Sequence, residues 1–299
     1  MTNYYTPSGE VSKFYKDVTK QTHVLCAGAT GSGKTVTEKG VINSLIYRPF
    51  CDMPGSVELI LIDPKGTELT QYKSLPHCIE YASAATNGEM INALRTASAI
   101  VDSRFQTMQK NPELMDARHY YKGSDVWVII DELADLMLSV YSAEVKTILQ
   151  HIGQIGRAAR VHMFCCTQCP LTKVIPTEIK VNFDAIIALR TRSAQDSRNI
   201  IGCKGAETFP KVGNCLYQTP DYRETLTVTV PFVDDTETQR LVDWWCEQVK
   251  AHQNAQNAEI SPSAPLINEE HTATRKGFKS WFKLSVVGLL LVDVIARVL

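Results

Sequence analysis

The sequence predicts an α/β fold, a mainly parallel sheet flanked by helices and followed by a C-terminal helix and tail. Three observations carry that expectation. From about residue 22 to 232, short β-branched runs alternate with longer amphipathic stretches, the pattern of strand-helix-strand units. The runs are almost continuously apolar, as suits strands buried on both faces. The first run also opens directly into a glycine-rich turn and then a helix-like segment.

Taken in order, the candidate strands are His23 to Ala27, Val57 to Ile62, Val126 to Ile130, His162 to Cys166 and Ala185 to Leu189, each followed by a turn or a helix start. Residues 236 to 256 fit one amphipathic helix with Leu241, Trp244, Trp245 and Val249 on roughly one side. The polar, proline-bearing stretch after it has no period and reads as a linker. The expected divisions are an N-terminal segment (1–21), the α/β domain (22–235), a packing helix (236–258), a linker (259–275) and a tail (276–299).

The tail holds an apolar run from Leu284 to Val292 behind Arg275, Lys276, Lys279 and Lys283. At about 100° per residue, Lys276, Lys279, Lys283, Asp293 and Arg297 share one face. A span needs about 20 predominantly apolar residues, and this segment reaches that length only by including charges. A membrane-surface or tail anchor is therefore favoured over protein docking, and both over a true span.

With 299 residues and 44% hydrophobic content, the chain can bury a sizeable core. Its 31 Lys and Arg balance 32 Asp and Glu, so any polyanion must be met by a local patch or a composite surface. The opening residues lack a secretory signal pattern and the nine cysteines are scattered, which predicts a reducing cytoplasmic setting. Cys166 and Cys169 have CxxC spacing, but no second pair completes a metal site, and thiols packed at a strand end are the expectation.

Chemistry concentrates in two segments. Gly28-Ala29-Thr30-Gly31-Ser32-Gly33-Lys34-Thr35 fits GxxxxGK[ST] without mismatch, between a strand and a helix. Its backbone amides and the helix's positive end suit the phosphates of ATP, with Lys34 toward the β- and γ-phosphates and the Thr35 hydroxyl toward Mg²⁺. The second segment, Val126 to Ile130 followed by Asp131 and Glu132, is an apolar strand ending in two acids. Asp131 is expected to hold Mg²⁺ through water, and Glu132 to orient and polarise the attacking water. Thr167-Gln168 closes the next strand, where a polar side chain can contact the γ-phosphate and report hydrolysis to the rest of the domain. No base-reading NKxD-like segment points to a GTPase.

These segments resemble the motor domain of the FtsK/SpoIIIE family across about residues 22 to 232. The resemblance extends to Leu61-Ile-Asp-Pro-Lys65 with Glu68-Leu69 and Leu75-Pro-His77, to Ile130 through Met137, to Gly156 through His162 with Cys166-Thr-Gln168, and to Asp196-Ser-Arg198 with Gly205-Ala-Glu207. It implies a RecA-like ATPase that assembles as a homo-oligomeric ring, usually a hexamer, around double-stranded DNA. It also implies a trans-acting arginine. Arg198 is the carry-over, a structural salt bridge being its alternative role, with Arg190 and Arg192 as close competitors and Arg157 as a further candidate for phosphate contact or for packing. Lys173 and Lys180 are weak candidates for a DNA-facing loop, with solvated surface charge the stronger expectation.

The sequence departs from the family pattern at Arg160, where glycine is usual, and at Cys169, where arginine is frequent. Neither a long N-terminal membrane region nor a C-terminal winged helix is seen, so sequence-directed chromosome pumping is not expected. The leading expectation is a DNA motor, as on a plasmid, phage or integrative element. Protein secretion, conjugative coupling and a nucleotide-gated scaffold are the alternatives, and intact Lys34, Asp131 and Glu132 argue against the scaffold.

Overall fold

The computed structural model describes residues 2–5, 11–14, 22–46, 56–83, 87–169, 174–222 and 224–260. Lys173 and the tail 276–299 lie outside the described residues. The strands are β1 (Thr2–Tyr5), β2 (Val11–Phe14), β3 (His23–Ala27), β4 (Val57–Asp63), β5 (Cys78–Ser83), β6 (Asp125–Ile130), β7 (Val161–Thr167), β8 (Ala185–Leu189), β9 (Asn214–Gln218) and β10 (Leu226–Thr229). The helices are α1 (Lys34–Ile46), α2 (Asn87–Lys110), α3 (Leu133–Met137), α4 (Ser142–Ala159), α5 (Thr177–Lys180), α6 (Ala194–Ile201) and α7 (Asp235–Ile260).

All these strands join one sheet in the order β2-β1-β10-β9-β8-β3-β7-β6-β4-β5. From β8 to β5 the neighbours run parallel, and from β8 outward to β2 they run antiparallel. The α/β class with a mainly parallel sheet is the one the sequence predicts. The antiparallel extension is a feature the sequence reading did not find. Its strands are only four or five residues long, too short to show a period.

The apolar runs serve two cores at once because successive side chains point to opposite faces. Leu25, Ile60, Ile62, Val126, Val128 and Ile130 pack with α2 and α4 on one face. Val24, Cys26, Leu59, Leu61, Trp127 and Ile129 pack with α1 and α7 on the other. Each buried Leu or Ile contributes about 1.5–3 kcal/mol, so the central strands form the stiff platform from which the loops project.

Helix α7 is fastened to α1. Val242 and Trp245 are buried, and Trp245 meets the His77 ring edge-on at 4.6 Å. Lys39 pairs with Asp235 at 2.7 Å, and Asn43 donates to Thr238 at 2.9 Å. Among the described residues no helix is long and apolar enough to cross a membrane.

Residue 160 shows why glycine suits the α4-β7 turn. Arg160 is left-handed, at φ 56°, a conformation that costs an L-residue about 1–2 kcal/mol. What offsets this is a two-pronged pairing of its guanidinium with Asp125, both bonds at 2.8 Å, while His162 also reaches Asp125 at 3.1 Å. Burial alone would raise the Asp125 carboxyl, but the bonds from His162 and Arg160 hold it well below the usual carboxylate range.

We expect Arg160→Ala to destabilise the protein by about 1 kcal/mol more than Arg160→Gly, because both lose the fork and only glycine relieves the left-handed backbone. Equilibrium urea unfolding measures the difference.

His23 lies nearby at the start of β3, accepting from the Met163 amide through Nδ1 at 3.1 Å. Burial, reinforced by the His162 and Arg157 charges, lowers it to about 3. The unfolded chain therefore binds a proton that the fold refuses. Stability is complete above the ordinary histidine value and falls as pH drops from there toward about 3. At pH 5 this group should cost about 2 kcal/mol. Chemical unfolding at pH 7 and pH 5 should show a correspondingly smaller loss for His23→Asn, which retains an acceptor.

Candidate active site

The glycine-rich loop leaves β3 at the carboxyl edge of the parallel strands and is clamped from both sides. Gly28 N donates to Thr167 O at the end of β7, 3.2 Å, and Ala29 N donates to Arg190 O just beyond β8, 2.9 Å. A Cβ on Gly28 would lie 2.8 Å from the Leu189 Cβ, so only glycine fits between the strands. Gly31 and Gly33 take φ of 72° and 107°, the left-handed conformations that glycine adopts readily.

Gly213 N donates to Ser32 O at 3.0 Å and closes the loop from behind. The loop then feeds α1, whose first-turn amides have no intrahelical acceptor and carry the positive end of the helix dipole. Lys34 is buried and Thr35 half-buried at that turn. The arrangement fits the phosphates of a nucleotide.

Asp131 and Glu132 stand beside this loop at the end of β6, both buried. Glu132 is held in place. It accepts from the Thr167 hydroxyl at 2.7 Å, from the Gln168 amide at 3.0 Å and from the Ala134 amide of α3 at 3.3 Å. Gln168 in turn accepts at Oε1 from the Thr30 hydroxyl, 2.7 Å, so loop, Gln168 and Glu132 form one connected unit.

Asp131 and Glu38 are in a different state. Burial, with the charges of Asp63 and Glu68, pushes Asp131 up to about 6 against opposing contacts with Glu38 and Lys65. Glu38, on α1, is fully buried with its carboxyl against that of Asp131. Burial first and the Asp131 charge second push it well above the usual carboxylate range. The two carboxyls meet through a side-chain hydrogen bond. Acids crowded this way are stabilised by a cation, which reverses the local charge balance. The Thr35 hydroxyl and the Asp131 carboxylate are the kind of oxygen donors that suit a hard divalent ion such as Mg²⁺.

Asp63 explains the Leu61-Ile-Asp-Pro-Lys65 segment. Its carboxylate accepts from the amides of Gly66, Glu68 and Leu69 at 2.9–3.0 Å and from the Tyr81 hydroxyl at 3.2 Å, folding the turn that follows β4. Glu38 was not singled out in the sequence, and the bracing parts that Asp63 and Thr167 play were not foreseen there. Glu38 left no local signal there, because nothing around it says which face of α1 is buried.

The arginines separate. Arg192, with Gly28, Ala29, Gln168, Thr191 and Asp196, lines a cavity of about 180 Å³ beside the loop. Arg190 contributes its carbonyl to Ala29. Arg198 is exposed on the last turn of α6, away from that lining, and its charge helps hold Glu207 low after the Gly205 amide bond. Arg157 sits where α4 enters β7, the opposite edge of the sheet from Thr167. Seven strand residues span about 20 Å, so it does not reach this chain's own loop.

Lys180 donates to Asn199 O at 2.8 Å and is half-buried, a tether between α5 and α6 instead of a loop-tip cation. Cys166 and Cys169 are free thiols, the first fully buried.

A phosphate-binding loop between β3 and α1, with paired acids at the end of β6 and a polar strand end beside them, defines a P-loop nucleotide-binding α/β protein. The FtsK/SpoIIIE family model matches residues 6–122 and 113–172. The chain belongs to that family of ATPases.

The DNA translocase FtsK of Caldanaerobacter subterraneus subsp. tengcongensis is 32% identical over 261 residues, covering 85% of this chain and 36% of that protein. That of Staphylococcus epidermidis is 35% identical over 264 residues, covering 83% and 32%. This chain therefore spans about a third of the length of these curated relatives.

Among solved structures, ATPases 2 and 3 of EssC from Geobacillus thermodenitrificans match with a TM-score of 0.68 at 14% identity, over 95% of this chain and 53% of that one. The conjugation coupling protein TcpA of pCW3, solved with ATPγS, matches with a TM-score of 0.63 at 19% identity, over 82% and 70%. At these identities the structures speak for the shared fold.

Removing the buried ammonium with Lys34→Ala should weaken ATPγS binding about 10- to 100-fold, the worth of a charge-assisted phosphate contact. Isothermal titration with the unmodified chain alongside checks it.

Proposed function

We propose that this chain is an ATP-hydrolysing motor that moves double-stranded DNA through an oligomeric ring. The observation that carries the hydrolytic part is the fixed position of Glu132, held by Thr167 and Gln168 while Gln168 is bonded to Thr30 of the phosphate loop. A carboxylate so placed can hold a water in line with the γ-phosphorus. The water oxygen bonds to that phosphorus as the bond to the β-γ bridging oxygen breaks, and the water's proton passes to Glu132 on the way to solvent or phosphate.

Lys34 and the loop amides bind the β- and γ-phosphates and take up charge as the bridge breaks. Thr35 and Asp131 would hold Mg²⁺, which when bound neutralises phosphate charge. Departure of the γ-phosphate alters what Thr30 and Gln168 face, and the change reaches β7 and the α5-α6 side of the sheet through Gln168. We assign Arg198, exposed on α6, as the guanidinium offered to a neighbouring subunit's γ-phosphate.

The DNA cargo is supported by relatives named DNA translocases at 32% and 35% identity over most of this chain. With an overall charge of −1, DNA contact is expected to depend on a local surface inside the ring and to follow the backbone without regard to sequence.

Steady-state ATPase assays with and without linear double-stranded DNA test the reading. DNA should stimulate turnover, and both Lys34→Ala and Arg198→Ala should abolish that stimulation. The arginine variant should fall about 10³-fold, as removal of a trans arginine does. Mixing the two variants should restore part of the activity if lysine and arginine act in different subunits. Turnover that needs Lys34 but ignores DNA would point to a protein cargo.

A further inference from the structure

The cavity of about 180 Å³ beside the phosphate loop touches that loop only at Gly28 and Ala29, and its other walls come from the ends of β7 and β8 and from α6. It therefore lies on the clamped side of the loop, not on the α1 side where Lys34 and Thr35 stand. Phosphates seated by Lys34 and the first turn of α1 leave it free.

Its chemistry is that of an anion site with a condition attached. Among the described residues the exposed Arg192 guanidinium in its wall has neither a hydrogen-bond nor an ion-pair partner. Gln168 gives its Oε1 to the Thr30 hydroxyl at 2.7 Å, which leaves Nε2 as a free donor on a residue that also lines the cavity. Asp196, half-buried in the first turn of α6, faces the same space. A carboxylate beside two donors repels an anion that has only acceptors, but it accepts from one that carries a hydroxyl. Monohydrogen phosphate has both, oxygens for Arg192 and Gln168 and a P–OH for Asp196.

A source of that phosphate adjoins the cavity. Gln168 stands between it and Thr30 of the phosphate loop, so the Thr30–Gln168 bond closes the passage from the place assigned above to the γ-phosphate. A single neutral hydrogen bond exposed to water opens at little net cost.

We propose that this cavity is an exit site for the inorganic phosphate formed by hydrolysis. Phosphate passes Gln168, is received by the Arg192 guanidinium and Gln168 Nε2, and donates its hydroxyl to Asp196 before it reaches solvent. One guanidinium against one carboxylate leaves the site close to neutral, so phosphate is passed on instead of stored. This rests on the hydrolysis reading above, and phosphate binding is measured without turnover so that the two fail separately.

The full chain loaded with Mg-ADP is dialysed to equilibrium against radiolabelled inorganic phosphate. In parallel, Cys169, a half-buried free thiol in the cavity wall, is alkylated with N-ethylmaleimide and quantified by peptide mass spectrometry. Cys78 on β5 and Cys246 on α7, also half-buried free thiols, are internal references. Phosphate should bind and slow alkylation at Cys169 but not at the references, and sulfate, with no hydroxyl to offer Asp196, should bind about 10-fold more weakly. Arg192→Ala should weaken phosphate about 10-fold, the effect of losing a charge-assisted contact. Arg192→Lys, which keeps the charge without the fork, should weaken it about 3-fold. Asp196→Asn should bind phosphate and sulfate within about 2-fold of each other, because its amide no longer selects for a hydroxyl.

Absence of phosphate binding overturns the proposal, as does binding that leaves alkylation of a reactive Cys169 unchanged. Binding that is the same in Arg192→Ala and keeps its preference over sulfate in Asp196→Asn also overturns it, because the anion then sits in the loop beside ADP. If Cys169 proves unreactive in the unmodified chain, the dialysis results for the same two variants decide. Absence of Lys34-dependent ATP turnover overturns the hydrolysis reading and with it the exit role, while the anion site itself stands or falls on the dialysis.

Discussion

The clamp on the first two residues of the phosphate loop is the constraint on which the rest of the site depends. Gly28 and Ala29 donate to strand ends on either side, Thr167 on β7 and Arg190 after β8. That is possible only because β3 lies between those two strands in the sheet. A loop anchored to both neighbours cannot drift relative to either, so its geometry reports on β7 and β8 together. The tight fit of Gly28 against Leu189 leaves no room for a side chain, and the left-handed glycines after it complete the cradle.

From that clamp a short relay crosses the carboxyl edge of the sheet. Thr30 touches Gln168, the Gln168 amide touches Glu132, and the Thr167 hydroxyl braces the same carboxylate. Thr167 takes part twice, since its carbonyl receives Gly28 and its hydroxyl holds Glu132. The phosphate loop and the acid at the end of β6 therefore meet through one residue of the strand between them. A change at the phosphate loop needs no long pathway to reach that acid, because the groups that hold each are adjacent strand ends.

Much of this was legible in the sequence, for identifiable reasons. The central strands are apolar at every position because they feed two cores, and such runs stand out without any alternation. The phosphate loop and the Asp131-Glu132 pair were legible because each motif is contiguous and lies at a strand end. What escaped depends on contacts between distant segments. Thr167 gains its part only from the register that sets β7 beside β3 and β6. Glu38 reads as a surface acid on a helix until the helix is docked, and nothing local says that its face is buried. Arg160 looked like a lost glycine, whereas Asp125, 35 residues earlier, supplies what offsets the left-handed turn. The short antiparallel strands escaped because four residues carry too little pattern.

Strand β6 shows how the fold divides stability from function. It begins at Asp125 and ends beside Asp131, two buried aspartates on either edge of the same sheet. Asp125 is matched by a guanidinium fork and an imidazole, and its carboxyl is held well below the ordinary range. Asp131 is surrounded by other acids, and burial with their charges lifts it to about 6. A strand built only for stability would satisfy both ends. Leaving one end short of positive charge makes the protein less stable than it could be. The charge-matched end anchors the sheet, and the acid-crowded end is the departure from maximal stability that folds concentrate where a site is built.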